Sequence, residues 1–191
     1  MTKLKHYDNL GTARFITISC HNYLNLFEDD KVKMIFLDYL SQIKHKYSLE
    51  LYGYVIMLNH VHLVVYPLKP IKIGRVIGEL KSRSARQILN YFREVKSSVL
   101  GDLKVFRNGI ERFAFWHRRC YDHNCRGINS VIEKIKYCHN NPVKNGLVTD
   151  VSEWRWSSYD YYCTGKYELI EIDSMEELNP PQAVGYPIIE K

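Results

Sequence analysis

Long apolar runs are missing from this 191-residue chain. None approaches the roughly 20 residues that a bilayer-spanning helix needs, so no membrane partner is expected. The opening Met1-Thr-Lys-Leu-Lys-His-Tyr-Asp8 lacks the apolar stretch of a secretory signal. Five cysteines (Cys20, Cys120, Cys125, Cys138 and Cys163) are odd in number and irregularly spaced. They form no regular disulfide framework and suit a reducing cytoplasm. Internal repeats and low-complexity segments are absent too, which sets solenoids aside. Acids are scarce in the middle: residues 69–119 hold 13 Lys/Arg against 4 Asp/Glu, whereas six acids face one lysine from 168 onward. With a net charge of +6, this asymmetry implies a polyanion-binding face, with nucleic acid as the polyanion.

What is present reads as one domain with a sizeable core. Arg14–Cys20 is β-branched and aromatic without a breaker, a first strand. Glu28-Asp29-Asp30 supplies a cap for a helix whose apolar side is Val32, Ile35, Phe36, Tyr39, Leu40, Ile43 and Tyr47. Two strands follow between Leu49 and Tyr66, and prolines 67 and 70 end them. A second helix is expected from Lys72 to Val95. Lys72, Arg75, Glu79, Arg83, Arg86, Asn90 and Arg93 stack along one line of it. A line of one sign interrupted by a single acid points to phosphate contact; the alternative is a solvated face. Gly101–Gly109 is turn-rich, Arg112–His117 can form a strand, and Arg118–Gly127 reads as a basic loop or edge. A third helix is expected over Ile128–Asn141, ended by Pro142 and Gly146. Trp154–Tyr159 should form a turn packed on the body. The order fits an α+β, ferredoxin-like two-layer sandwich: an antiparallel sheet with helices on one face.

Within Tyr54–Tyr66, two apolar strands flank a break at Leu58-Asn59, and His60 and His62 open the second strand. Residues two apart on a strand share a face, so both imidazoles project together and can chelate one divalent ion. On the third helix Tyr137 falls opposite the apolar positions, in line with Ser130, Lys134 and Asn141. The Asn141 amide offers a hard oxygen ligand, and a hydroxyl beside a metal-bound phosphate is a nucleophile candidate.

Met57-Leu-Asn-His60-Val-His62 resembles the His-hydrophobic-His motif of the HUH single-strand nucleases. Tyr137-Cys-His-Asn-Asn141-Pro-Val-Lys-Asn-Gly146 resembles the nucleophile helix of their REP-associated tyrosine transposase branch. Phe115–His123 and Trp154–Tyr159 support the likeness, which spans roughly residues 14–161. Leu58 stands where the family usually has proline. Asn145 stands where it has alanine, a change expected to be neutral. The resemblance implies binding of single-stranded hairpin DNA and cleavage beside it. Tyr137 would be the nucleophile, forming a 5′-phosphotyrosine, and His60, His62 and Asn141 would hold Mg²⁺ or Mn²⁺. Lys72, Arg75, Arg83, Arg86, Arg93, Arg118 and Arg119 would follow the DNA backbone, and no nucleotide cofactor is required. Residues 1–167 would be the catalytic domain and 168–191 an acidic tail. No protein partner is evident, and a monomer is expected.

Two other readings are open to the same residues. His117, Cys120, His123 and Cys125 could hold zinc, although their spacing matches no common module. The same fold could also hold a hairpin without cutting it.

Overall fold

The computed structural model describes residues 11–175. Ala13–Ser19 forms β1, and its side chains alternate between two buried faces, Ile16 and Ile18 on one and Ala13 and Phe15 on the other. Asp30–Tyr47 forms α1. The Asp29 carboxylate accepts from the Lys31 amide at its start, and Lys44, His45 and Lys46 meet the negative end of its dipole. Leu49–Ile56 (β2) and His60–Pro67 (β3) follow, then Ile73–Glu94 (α2). Lys104–Arg107 (β4) and Ile110–Phe113 (β5) pair as a separate hairpin. Tyr121–Cys125 (β6), Ile128–Lys144 (α3) and the short Tyr159–Thr164 (α4) complete the list.

The main sheet is antiparallel throughout, in the order β2-β3-β1-β6. With α1 joining β1 to β2, and α2 lying between β3 and β6, this is the ferredoxin-like arrangement expected from the sequence. Its fourth strand is Tyr121–Cys125, however, not Arg112–His117. The apolar Phe115 and Trp116 enter the core as extended chain, tied to β1 by the His117 amide donating to the Ser19 carbonyl at 2.8 Å. In β6 the polar residues have their own partners: Arg14 of β1 is buried against Asp122 and Asn124.

Both faces of the sheet are apolar, so both are covered. α1 and α2 pack on the face of Ile16, Ile18, Val61, Leu63 and Val65, through Val32, Phe36, Leu40, Val76, Leu80 and Ile88. α3 packs on the other face, with Val131, Ile135 and Cys138 over Ala13, Phe15, Val55 and Val64. A single helical face therefore holds for the first two helices and is corrected for the third. The register of β2 against β3 is irregular between Leu51 and Gly53. A Cβ on Gly53 would stand 3.1 Å from Cγ1 of Ile135, so the missing side chain lets α3 seat closely. α3 also runs three residues past Asn141, with Pro142 inside its last turn.

The outer edge of β2 is occupied by chain that follows α3. The Ile56 amide donates to the Trp156 carbonyl, Ser158 to Tyr54 and Asp173 to Leu51, at 2.8, 3.0 and 3.0 Å. Ile170 and Ile172 are buried, and the Lys44 ammonium meets Glu171 at 2.8 Å and Asp173 at 2.9 Å. The first residues of the segment expected to be an acidic tail thus pack on the body. Pro180-Pro181 and the last acids lie outside the described residues.

Candidate active site

His60 and His62 open β3 on the face that α3 covers. Their Nε2 atoms lie 3.1 Å apart. Each ring is fixed from behind: Nδ1 of His60 meets Oδ1 of Asn59 at 2.6 Å, and Nδ1 of His62 meets Oγ1 of Thr17 at 2.8 Å. An amide oxygen only accepts, so Nδ1 of His60 carries the proton and its Nε2 presents a lone pair. Thr17 stands directly opposite His62 across the β1–β3 pair. His62 is 4% exposed. Burial, reinforced by the neighbouring His60, pushes its pKa down to about 3, and burial lowers that of His60 as well. Both rings are therefore neutral at ordinary pH, the form that binds metals.

Two neutral nitrogens this close repel unless a proton or a cation lies between them. Nitrogens held about 2.1 Å from one ion at right angles would sit about 3.0 Å apart, near the observed spacing. The pair therefore fits a divalent cation, and its supporting Asn59 and Thr17 are the kind of outer partners that orient such ligands.

Tyr137 is carried to this point by α3. Its ring centroid lies 5.2 Å from His62 and 5.7 Å from Phe15, edge-on to both, and the residue is 41% exposed. Phe15 in turn stacks on His62 at 5.1 Å. One turn earlier, the Lys134 ammonium sits 5.5 Å from the Phe15 ring centre and adds positive charge beside the tyrosine. Asn141 is one turn after Tyr137 and 3% exposed. Its side-chain oxygen accepts from Nδ2 of Asn145 at 2.8 Å, and the same nitrogen reaches its main-chain carbonyl at 2.9 Å. Asn145, expected to be neutral, thus orients the amide of Asn141.

His139, two residues after Tyr137, carries no signal in the sequence that sets it apart. It is buried, with Nε2 2.9 Å from Oγ of Ser158, and Ser158 also accepts from the Tyr54 amide at 3.1 Å. The rings of Tyr159 and Tyr162 flank it. This link pins α3 to the outer edge of β2 and so fixes where Tyr137 stands. Its only trace in the sequence was a histidine between the two α3 site residues.

The basic residues divide. Arg118 and Arg119 are exposed just before β6, at the sheet end where Ser19 pairs with His60, and their loop is held by the Lys81 ammonium donating to the carbonyls of His117 and Arg118. The line on α2 lies behind the opposite face. Arg83 there is engaged by Gln42 at 2.7 Å and by Glu79, and Arg93 by Asn90 and the Phe113 ring. Lys72, Arg75 and Arg86 are exposed. The zinc alternative is not assembled: among the described residues no three His, Cys, Asp or Glu side chains converge. His117 stacks on Tyr23, whereas Cys125 is buried under α3.

The structure thus sets a tyrosine ring beside two convergent imidazoles on an antiparallel sheet. The family model described as "Transposase IS200 like" matches residues 13–109, just over half of the chain, and the protein belongs to that family. The match includes the histidine pair and stops short of Tyr137. Among named relatives, a REP-associated tyrosine transposase of Escherichia coli K12 is 21% identical over 159 residues, covering 83% of each chain. A Haemophilus influenzae protein named as a transposase of the same kind is 23% identical over 145 residues, covering 72% of this chain and 78% of its own. The fold matches the solved structure of a REP-associated tyrosine transposase bound to a REP hairpin with a TM-score of 0.64 at 16% identity, over 97% of this chain and all of the other. Among the described residues no helix is long and apolar enough to cross a membrane.

The buried His139 generates a pH prediction. Burial lowers its pKa from 6.5 to about 4. The unfolded chain takes up a proton below about 6.5 that the folded chain refuses, so stability is complete above that pH and is lost as pH falls toward 4. Urea midpoints should drop between pH 7 and pH 5, and the drop should be shallower in His139→Gln. An equal drop in both proteins would remove His139 from this role.

Proposed function

We propose that this protein cuts and rejoins single-stranded DNA beside a hairpin, with Tyr137 as nucleophile. The observation that carries the reading is the placement of the Tyr137 ring against His62, whose Nε2 converges with that of His60. The relatives' names, and the hairpin bound by the structural relative, supply the substrate class. His60, His62 and Asn141 would hold Mg²⁺ or Mn²⁺, which when bound polarises the scissile phosphate and offsets its charge. Oη of Tyr137 attacks phosphorus in line. The new P–Oη bond forms as the P–O3′ bond breaks, leaving a 5′-phosphotyrosine and a free 3′-hydroxyl. The phenol proton leaves to water, and the departing 3′ oxygen takes one up. Attack by a 3′-hydroxyl on the phosphotyrosine reverses the step and joins strands, so no nucleotide is consumed.

Lys134 adds positive charge beside the reacting phosphate, and Arg118 and Arg119 follow the backbone from the same sheet end. Because Tyr137 serves the histidines of its own chain, one copy carries the whole constellation, which supports action as a monomer. All the groups that the chemistry needs are present, which favours an active enzyme over a non-cutting hairpin binder.

Tyr137→Phe should bind hairpin DNA as the wild type does and form no covalent adduct on denaturing gels. His60→Ala should lose Mn²⁺ binding, read by calorimetry, together with cleavage. Asn141→Leu should raise the Mn²⁺ midpoint and Asn141→Asp should lower it. An adduct with Tyr137→Phe, or unchanged midpoints in both Asn141 variants, would contradict the respective assignments.

Binding should weaken with salt, each phosphate contact to a single strand adding a slope of roughly −0.7. Replacing both Arg118 and Arg119 by Ala should flatten this slope by one to two contacts. Replacing Arg75 and Arg86 should change it far less, since α2 lies behind the sheet. The reverse ranking would move the DNA to the α2 line.

A further inference from the structure

Beyond Tyr137, the same sheet face carries a row of rings toward the edge strand. Thr17, which supports His62, is paired across β1–β6 with Tyr121, and Phe15 is paired with His123. Directly paired residues share a face, so Tyr121 and His123 stand on the side of the sheet that holds His62 and Tyr137. Tyr121 lies two strand spacings from His62, about 10 Å. Its ring is edge-on to Phe15 at 6.4 Å, and Phe15 is edge-on to Tyr137. The Tyr121 and His123 rings are parallel to within 3°, with centroids 6.4 Å apart.

Both residues are exposed, Tyr121 by 53%. Ordinary packing does not explain two large rings held parallel in water on an edge strand. Neither is covered by α3, whose apolar side lies over Phe15 and Cys125. Exposed basic side chains bracket the strand, Arg118 and Arg119 before it and Arg126 after it. Flat π-faces flanked by cations are what an unpaired stretch of nucleic acid recognises: rings take the bases and the arginines take the phosphates.

We propose that Tyr121 and His123 form a stacking platform for the unpaired nucleotides that flank the scissile phosphate. The proposal rests on the reading of Tyr137 and the histidine pair as the cutting site, and it assigns the adjoining single strand to β6. Stacking reads no hydrogen-bonding pattern, so the platform holds the strand in register and tolerates base changes. Arg118, Arg119 and Arg126 would charge the path without selecting sequence.

The test uses the full chain carrying Tyr137→Phe, so that binding is measured without chemistry. Two DNAs are compared by fluorescence anisotropy: a bare hairpin and the same hairpin with six unpaired thymidines on each side. The protein should bind the flanked hairpin more tightly. Tyr121→Ala should lose roughly 5- to 150-fold in affinity for it, the range for one base–ring stack, with the bare hairpin unaffected. Tyr121→Phe, which keeps the π-face, should bind normally. Melting curves check that the exposed substitution leaves the fold intact. Equal losses on both DNAs, no loss with Tyr121→Ala, or no preference for the flanked hairpin would overturn the platform. Adduct formation by the Tyr137-containing chain is scored separately, so either idea can fail while the other stands.

Discussion

The seating of α3 against the second face of the sheet is the contact on which the rest depends. Ile135 sits where a side chain on Gly53 would have been, Val131 and Cys138 cover Ala13, Val55 and Val64, and His139 reaches Ser158 at the edge of β2. These contacts fix both the height and the rotation of the helix. Only then does Tyr137, on its outward side, meet His62. A helix that rode higher by one methyl group would carry the Tyr137 ring away from His62, and interiors packed at crystal-like density transmit such shifts.

Burial also sets the electrostatics. The same covering that makes a core of Phe15, Val55 and Val64 removes water from His62 and holds it neutral. Thr17 and Asn59 then hold the two rings so that both Nε2 atoms face one point. Against this neutral pair stand Lys134, Arg118 and Arg119. The arrangement offers a polyanion positive charge around a histidine pair that itself carries none.

Much of this was legible in the sequence because period and spacing bear directly on it. The His-x-His pair shares a face by strand geometry alone, and Tyr137 and Asn141 share a line by helical geometry. The first four elements of the sheet and its helices followed from apolar periodicity. What escaped did so for physical reasons. β6 is polar on both sides, because Asp122 and Asn124 satisfy a buried arginine and Tyr121 and His123 face water, so no alternation marked it and the segment read as a loop or edge, the second of which it is. The β4–β5 hairpin did carry a signal: Asn108 and Gly109 both adopt positive φ, 52° and 75°, as a two-residue hairpin turn requires. The second covered face was hidden because α3 packs on residues that any buried strand would contain. Asn145 lies one helical turn past Asn141 but beyond the point where Pro142 was expected to end the helix, and His139 acts through a partner nineteen residues away, a contact without a periodic trace.

On the proposed function, α3 delivers Tyr137, and no other of the 15 tyrosines, to the scissile phosphate beside His60 and His62. The most direct test is to incubate the wild-type chain with flanked hairpin DNA and Mn²⁺, trap the covalent complex, digest it and map the nucleotide-bearing peptide by mass spectrometry. A 5′-linked nucleotide is expected on the peptide containing Tyr137. A nucleotide on another tyrosine, Tyr121 included, or a 3′ linkage, would contradict it.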